Sequence, residues 1–210
     1  MKPRERILEA ADAIFGEVGF DAASTRAIAE RSEVNKALIH YHFKSKDGLF
    51  GSLLDRYYER LGAVLMSSLQ GEGDPRDRLA RLVDAYMVFL RENRNFGLIV
   101  QREAAGGRHM ERIRAHMAPL FAMGASMLEQ AYPSTRTGTL AANQLLLSAY
   151  GLIVGYFTYS AALTHLMGGD PMAADAFEAR RRHVLRVVDV LLDAVVRDEQ
   201  AVGRGSIKGG

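Results

Sequence analysis

Apolar residues along this chain recur at intervals of three and four rather than two, with turn-forming residues between the runs, a pattern that predicts an all-α protein. Residues 4–18 set Ile7, Leu8, Ala11, Ile14, Phe15 and Val18 on one stripe, and Gly19 follows where a helix end favours a left-handed residue. Ser24 and Asn35 are placed to cap two short helices, the first carrying Ala27, Ile28 and Ala29, the second Leu38, Ile39 and Phe43. Ser45 is expected to cap a longer fourth helix running through Leu49, Phe50, Leu53, Leu54, Tyr57 and Leu61. The clearest internal break is "QGEGDP", residues 70–75, where Asp74 and Pro75 give a cap and a first turn. Further helices are predicted at 76–93, 96–105, 108–131, 137–165 and 172–198, about nine in all, with Pro119 expected to kink one of them. "GGDP", 168–171, repeats the loop, Asp cap and Pro start, and "QAVGRGSIKGG" reads as a flexible end. The expected organisation is a helix-turn-helix domain at 1–50, a larger helical domain at 51–198 and a tail at 199–210.

Composition narrows the function. With 210 residues, 48% of them hydrophobic, the chain can bury a substantial core. Zero cysteines removes disulfides, thiolate zinc sites and cysteine nucleophiles together. No apolar run approaches the roughly 20 residues needed to cross a bilayer, and the start "MKPRERILEAAD" lacks a signal-peptide core, so the expected location is the cytoplasm. Net charge is only +2, so affinity for nucleic acid must come from local arrangement. That arrangement exists: residues 24–46 hold five basic against two acidic side chains, a net of +3, while residues 1–50 as a whole hold eight of each.

Enzymatic chemistry has little support. There is no G-x-S-x-G, no Walker-type phosphate loop and no H-E-x-x-H, which leaves a helical hydrolase built from scattered Ser, His and Asp as the less favoured alternative. No cofactor and no metal are expected. His40 and His42 point about 200° apart on a helix and cannot share an ion. His109 and His116, seven apart, are separated by about 10 Å of helix rise and could line one cavity but not chelate one metal.

The two short helices, joined by roughly four residues in "ERSEVNK", have the dimensions of a helix-turn-helix, whose second member enters the major groove of DNA. Asn35, Lys36 and Ala37 lie in its first turn, where side chains reach base edges and the positive helix end favours phosphate. His40, Tyr41 and His42 stand near the groove walls, offering donors to phosphate and flat contact to thymine methyls. Lys44 and Lys46 follow as point charges. The run "ILEAADAIFGEVGFDAASTRAIAERSEVNKALIHYHFKSKDGLF" resembles the N-terminal DNA-binding domain of the TetR family of transcriptional regulators. Most specific are the Phe and Gly-Phe near the end of helix one, "Thr-Arg-x-Ile-Ala" in helix two, and "Tyr-His-Phe-Lys-Ser-Lys" before "Leu-Phe". The resemblance implies DNA contacts at Thr25, Arg26, Asn35, Lys36, Ala37, His40, Tyr41, His42 and Lys46. Two positions depart from the family pattern: Glu33 stands where a turn glycine is usual, and His40 where tyrosine is usual.

Beyond residue 54 the resemblance is architectural, and it implies effector binding and homodimerisation by the larger half. One short recognition helix covers few base pairs, so a two-fold pair reading half-sites about 34 Å or a multiple apart is also a physical requirement. Along the last helix Val184, Val188, Leu191 and Val195 form one stripe, assigned to the dimer, beside Leu185, Leu192 and Val196; both stripes could instead be intramolecular core. Candidate pocket residues are Phe96, Gln101, Arg102, His109, Met110, His116, Met117, Phe121, Tyr156 and Tyr159. Four of nine methionines fall between 110 and 127, where flexible thioethers suit either variable apolar ligands or ordinary core. The expected function is a homodimeric repressor released from a palindromic operator by a small, mostly apolar effector, with a DNA-binding dimer lacking small-molecule control as the alternative.

Overall fold

A computed structural model describes the backbone of residues 1–207 and the side chains of residues 1–201. Ten α-helices and one 3-10 turn occur among the described residues, and no strand does. The helices are α1 (Pro3–Ala22), α2 (Thr25–Arg31), α3 (Lys36–Phe43), α4 (Lys46–Ser68), α5 (Pro75–Glu92), α6 (Arg94–Ala104), α7 (Met110–Ala131), α8 (Ala142–Thr158), α9 (Ser160–Met167) and α10 (Ala174–Ile207), with the 3-10 turn at Pro133–Arg136.

The helix starts follow from capping chemistry. Ser24 Oγ accepts the Ala27 N–H at 3.1 Å, Asn35 Oδ1 the Ala37 N–H at 2.8 Å, Ser45 Oγ the Gly48 N–H at 3.0 Å, and Asp74 Oδ1 the Asp77 N–H at 2.9 Å. Each satisfies a donor that the first helical turn leaves without a partner. Gly19 breaks the helical path of α1 with φ 81° and ψ 172°, and the chain then resumes helical geometry to Ala22. The first segment thus ends where the glycine signal places it.

Three expectations need correction. The single helix expected at 137–165 is two helices, α8 and α9, bent by 80° at Tyr159. Tyr159 has φ −100° and ψ 14°, yet its N–H still bonds to the Gly155 carbonyl and its carbonyl still accepts from Leu163, so the apolar rhythm runs through the bend without a breaker to mark it. The last helix starts at Ala174, because Asp170 accepts the Met172 N–H at 2.8 Å and so closes a turn before the helix begins. It continues through Ile207, past the end expected at 198; the remainder of the expected tail, 208–210, lies outside the described residues. Met110–Ala131 is assigned as one helix through Pro119.

The chain divides into two compact units, Met1–Gly62 with Glu92–His116, and Ala63–Arg91 with Met117–Gly210. The first has its core in Ile7, Leu8, Phe15, Ile28, Ile39, Leu49, Phe50, Leu53 and Leu54, all at most 2% exposed. Phe15, Phe20 and Phe50 form an aromatic cluster within it, with T-shaped pairs at 5.0 Å. The second has a core of Leu79, Leu128, Ala142, Val188 and Leu192. Val184 and Val195 are each 0% exposed, so the stripe assigned to a partner is largely filled by the chain's own interior, Leu191 alone of the four being half-buried. Arg76 bonds to Asp189 and Asp193 of α10, and Arg181 to Asp84 and Glu178, which ties α5 to α10 by ion pairs as well as by packing.

Candidate DNA-binding surface

The helix-turn-helix is built by anchoring one side of α2 and α3 and leaving the other free. Ile28 and Ala29 of α2 and Ile39 and Phe43 of α3 are buried. Ser32 in the turn is buried and donates its hydroxyl to the Ile28 carbonyl at 2.6 Å. The next residue, Glu33, has φ 51°, a left-handed conformation that a side chain tolerates at a cost of about 1 kcal/mol or more. Arg6 of α1 clamps this strained turn, donating to the carbonyls of Ser32 at 2.6 Å and Glu33 at 2.9 Å and pairing with the Glu33 carboxylate at 3.2 Å. A carboxylate at the turn is accommodated by a cation from a neighbouring helix. No local sequence signal marks Arg6, because its partners are 26 and 27 residues away.

The outer face of α3 is different. Lys36, Ala37, His40 and Tyr41 are exposed, Tyr41 to 70%, and His42 is half-buried. Among the described residues, no side-chain hydrogen bond or ion pair occupies Lys36, His40 or His42. Tyr41 lies edge-on to His42 at 5.0 Å, with the Lys44 ammonium 6.0 Å from its ring and bonded to its carbonyl at 3.3 Å. Thr25, Lys36, Ala37, Ile39, His40, Lys44 and Ser45 line an open depression of about 440 Å³. Asn35 keeps its amide nitrogen available while its oxygen caps α3. Arg26 projects from α2 beside Glu30 at 2.9 Å, an exposed pair that yields readily to a competing anion. These groups form one surface of donors and flat rings, suited to the backbone and base edges of a duplex.

Lys46 does not join that surface. Its ammonium donates to the carbonyls of Phe20 at 2.9 Å, Asp21 at 3.3 Å and Ala23 at 2.9 Å, and lies 4.4 Å from the Phe20 ring centre. The helix end of α1 uses the charge that the sequence assigned to phosphate.

The ten candidate pocket residues are dispersed. Phe96, Gln101, Arg102, His109, Met110 and His116 belong to the first unit, Met117, Phe121, Tyr156 and Tyr159 to the second. Phe96 packs on Tyr57 at 5.0 Å and Tyr58 at 5.2 Å. Arg102 donates to the carbonyls of Phe15 at 3.0 Å, Gly16 at 2.8 Å and Glu17 at 3.2 Å, in the turn just before the break at Gly19. His109 sits between Phe20 and Phe50, ring centres 4.5 and 4.4 Å away, with its Nδ1 3.1 Å from the buried Glu103 carboxylate. His116 stacks on Tyr58 at 4.7 Å and meets Asp55 at 2.8 Å. The Arg112 guanidinium, also on Asp55, is the main cause holding that carboxyl below its usual range, with His116 adding to it against the opposing effect of burial. Burial and then the neighbouring Asp12 push the Tyr57 phenol up. Gln101 and Met117 are half-buried, Met110 is exposed, Phe121 lies against Tyr150 at 5.6 Å, Tyr159 is exposed, and Tyr156 is buried with its hydroxyl donated to the Pro171 carbonyl. No group of His, Cys, Asp or Glu suited to a metal ion occurs among the described residues.

A helix-turn-helix on a helical body is the build of a DNA-binding regulator, and comparison with known proteins makes this specific. Residues 7–53 match the family described as "Bacterial regulatory proteins, tetR family", and residues 75–188 match "Tetracyclin repressor-like, C-terminal domain". The chain belongs to the TetR family of transcriptional regulators, a family of DNA-binding proteins rather than enzymes. It is 31% identical over 101 residues to the transcriptional activator FasR of Mycolicibacterium smegmatis, covering 48% of this chain and 46% of FasR. It is 42% identical over 80 residues to the transcriptional repressor Rv3405c of Mycobacterium tuberculosis, covering 38% and 40%. The matched segment thus spans about half the length of such curated relatives, or less. The solved structure of the fatty acid degradation regulator FadR from Bacillus halodurans shares the fold, with a TM-score of 0.68 at 16% identity over 88% of this chain and 95% of that one.

Proposed function

We propose that the protein is a homodimeric repressor that binds a palindromic operator and is released by a small, mostly apolar effector. The observation that carries the reading is the contrast within α3, whose inner residues are buried while Lys36 and His40 are exposed with no hydrogen bond or ion pair to their side chains among the described residues. Thr25, Arg26, Asn35, Lys36, Ala37, His40, Tyr41 and His42 make the DNA contacts, and Lys46 acts through the fold. Residues 1–50 supply the reading head and the remaining helices supply effector binding and dimerisation.

The dimer contact is better placed on the outer side of α8 and α10 than on the valine stripe. Leu147 is 58% exposed, Val190 47%, and the Cα of Gly151 faces open space. Such exposed apolar and small residues allow close helix approach by a second copy. An apolar effector is supported by the methionine-rich α7 and by the likeness in fold to FadR, a regulator of fatty acid degradation. Release follows if the effector moves α6 or the start of α7. Arg102 would carry that movement to α1, and a rigid operator spacing converts a shift of a few ångströms into lost affinity.

The test is a footprint on DNA beside the protein's own coding region, with binding followed by fluorescence anisotropy. A symmetric protected site bound by two chains supports the reading. A monomeric complex, or indifference to every duplex at low ionic strength, overturns it. The FasR likeness makes activation the competing outcome, read from whether transcription falls or rises when the site is occupied.

A further inference from the structure

Of the half-buried guanidiniums described in the second unit, Arg76 and Arg181 are matched by carboxylates, whereas Arg81, Arg91 and Arg180 meet none. Arg76 faces two carboxylates, Arg181 faces two, Arg186 pairs with Asp189 at 2.6 Å, and Arg81 donates to the Ser68 carbonyl at 2.9 Å. Arg91 at the end of α5 and Arg180 of α10 differ from Arg81 in resting on aromatic rings. Among the described residues, neither has a carboxylate within ion-pair distance. Both are half-buried.

Each is laid against an aromatic ring instead. Arg91 Cζ is 4.5 Å from the centre of Phe177, and Arg180 Cζ is 5.4 Å from the centre of Tyr156. Phe157 joins the two rings, 5.6 Å from Tyr156 and 6.2 Å from Phe177. An aromatic face occupies one flat side of a guanidinium and leaves its N–H edges for in-plane acceptors. Arg180 uses one edge nitrogen on the Leu152 carbonyl at 2.8 Å, while its Nε, shut off from solvent, meets no acceptor. A donor buried without a partner is costly, so the side chain gains by turning toward an acceptor. Asp170, whose charge bears on Tyr156, is exposed and already caps the turn at Met172.

We infer that Arg91 and Arg180 form a receptor for the oxyanion end of a small amphipathic acid, a carboxylate or a phosphate, with the Tyr156, Phe157 and Phe177 rings holding the two forks in place. Two forks without a counter-ion suit an oxyanion that accepts paired N–H bonds, geometry a neutral head cannot reproduce. The inference deepens the effector reading above and rests on it for the link to operator release.

Isothermal calorimetry on the full chain with decanoate, decyl phosphate and decan-1-ol tests it. One of the two anions is expected to bind, and which one identifies the headgroup; the alcohol binds at least tenfold more weakly. Arg91→Gln and Arg180→Gln each weaken the anion about tenfold or more, while Arg182→Gln, an exposed neighbour on α10, does not. Nuclear magnetic resonance on the unaltered protein gives an answer that no folding defect can blur: the Arg180 Nε–H signal moves on adding the bound anion. No binding by either anion, equal binding of alcohol and acid, undiminished binding by both glutamine variants, or an unmoved Arg180 signal overturns the site. Anion binding with these signatures but without any change in operator affinity keeps the site and overturns the effector reading.

Discussion

Two sides of the first unit carry the same kinds of residue and put them to opposite use. On the outer face of α3, Lys36 and His40 have no hydrogen bond or ion pair to their side chains among the described residues; on the side where α6 and the start of α7 meet α1 and α4, Arg102, His109 and His116 are all engaged. Residue type does not separate a reading surface from a brace. Occupancy of the donors does, and it depends on residues far away in the chain.

The comparison can be broken by substitution. The largest effect is expected from Phe15→Ala in the aromatic cluster, which should cost about 3–5 kcal/mol of stability in chemical denaturation, because a large ring at 0% exposure leaves a cavity beside Phe50. Lys46→Ala should lower stability by about 1.5–3 kcal/mol, the range for hydrogen bonds to charged groups, while the salt dependence of DNA binding stays unchanged. A slope reduced by about 1 would return Lys46 to the phosphate contacts. Lys36→Ala should do the reverse, leaving the melting temperature in place while weakening operator binding by about 1–3 kcal/mol and relaxing base preference; uniform weakening across sequences would make it a backbone contact.

A pH titration of stability sharpens the braced side. Asp55 is held below the ordinary carboxylate range mainly by Arg112, so its contribution is present above the unfolded value, about 3.9, and is lost as pH falls toward the lowered one. Melting temperature should therefore drop more steeply below about pH 4 in the unaltered protein than in Asp55→Asn. The smallest effect belongs to Glu33→Gly. Relief of the left-handed backbone and the greater freedom of the unfolded glycine oppose each other, leaving a change of about 1 kcal/mol or less. Equilibrium denaturation reads that difference, and a loss above about 2 kcal/mol would mean that the Arg6 clamp depends on the Glu33 carboxylate.

Local chemistry was legible in the sequence and tertiary pairing was not. The caps at Ser24, Asn35, Ser45 and Asp74 stand where read, since each acts within two or three residues of itself. The left-handed turn at Glu33 was likewise readable from its position in the motif. Lys46 and Arg102 were misplaced because their acceptors are carbonyls 23 to 26 and 85 to 87 residues away, and a carbonyl has no sequence signature. The bend at Tyr159 escaped because no glycine or proline sits at the joint. The valines of α10 show the limit of periodicity: it reports that a stripe is apolar, not whether the chain itself or a second copy covers it.

Gly16 ends the matter at atomic scale. A methyl group added there would meet the Asn95 Cγ at 2.7 Å, and Asn95 is itself bonded to Asp12 at 3.1 Å. The seam between α1 and α6 is therefore sized for hydrogen alone. A single carbon works as a wedge in it, a way to loosen the reading head from its arm by editing one position and no ligand.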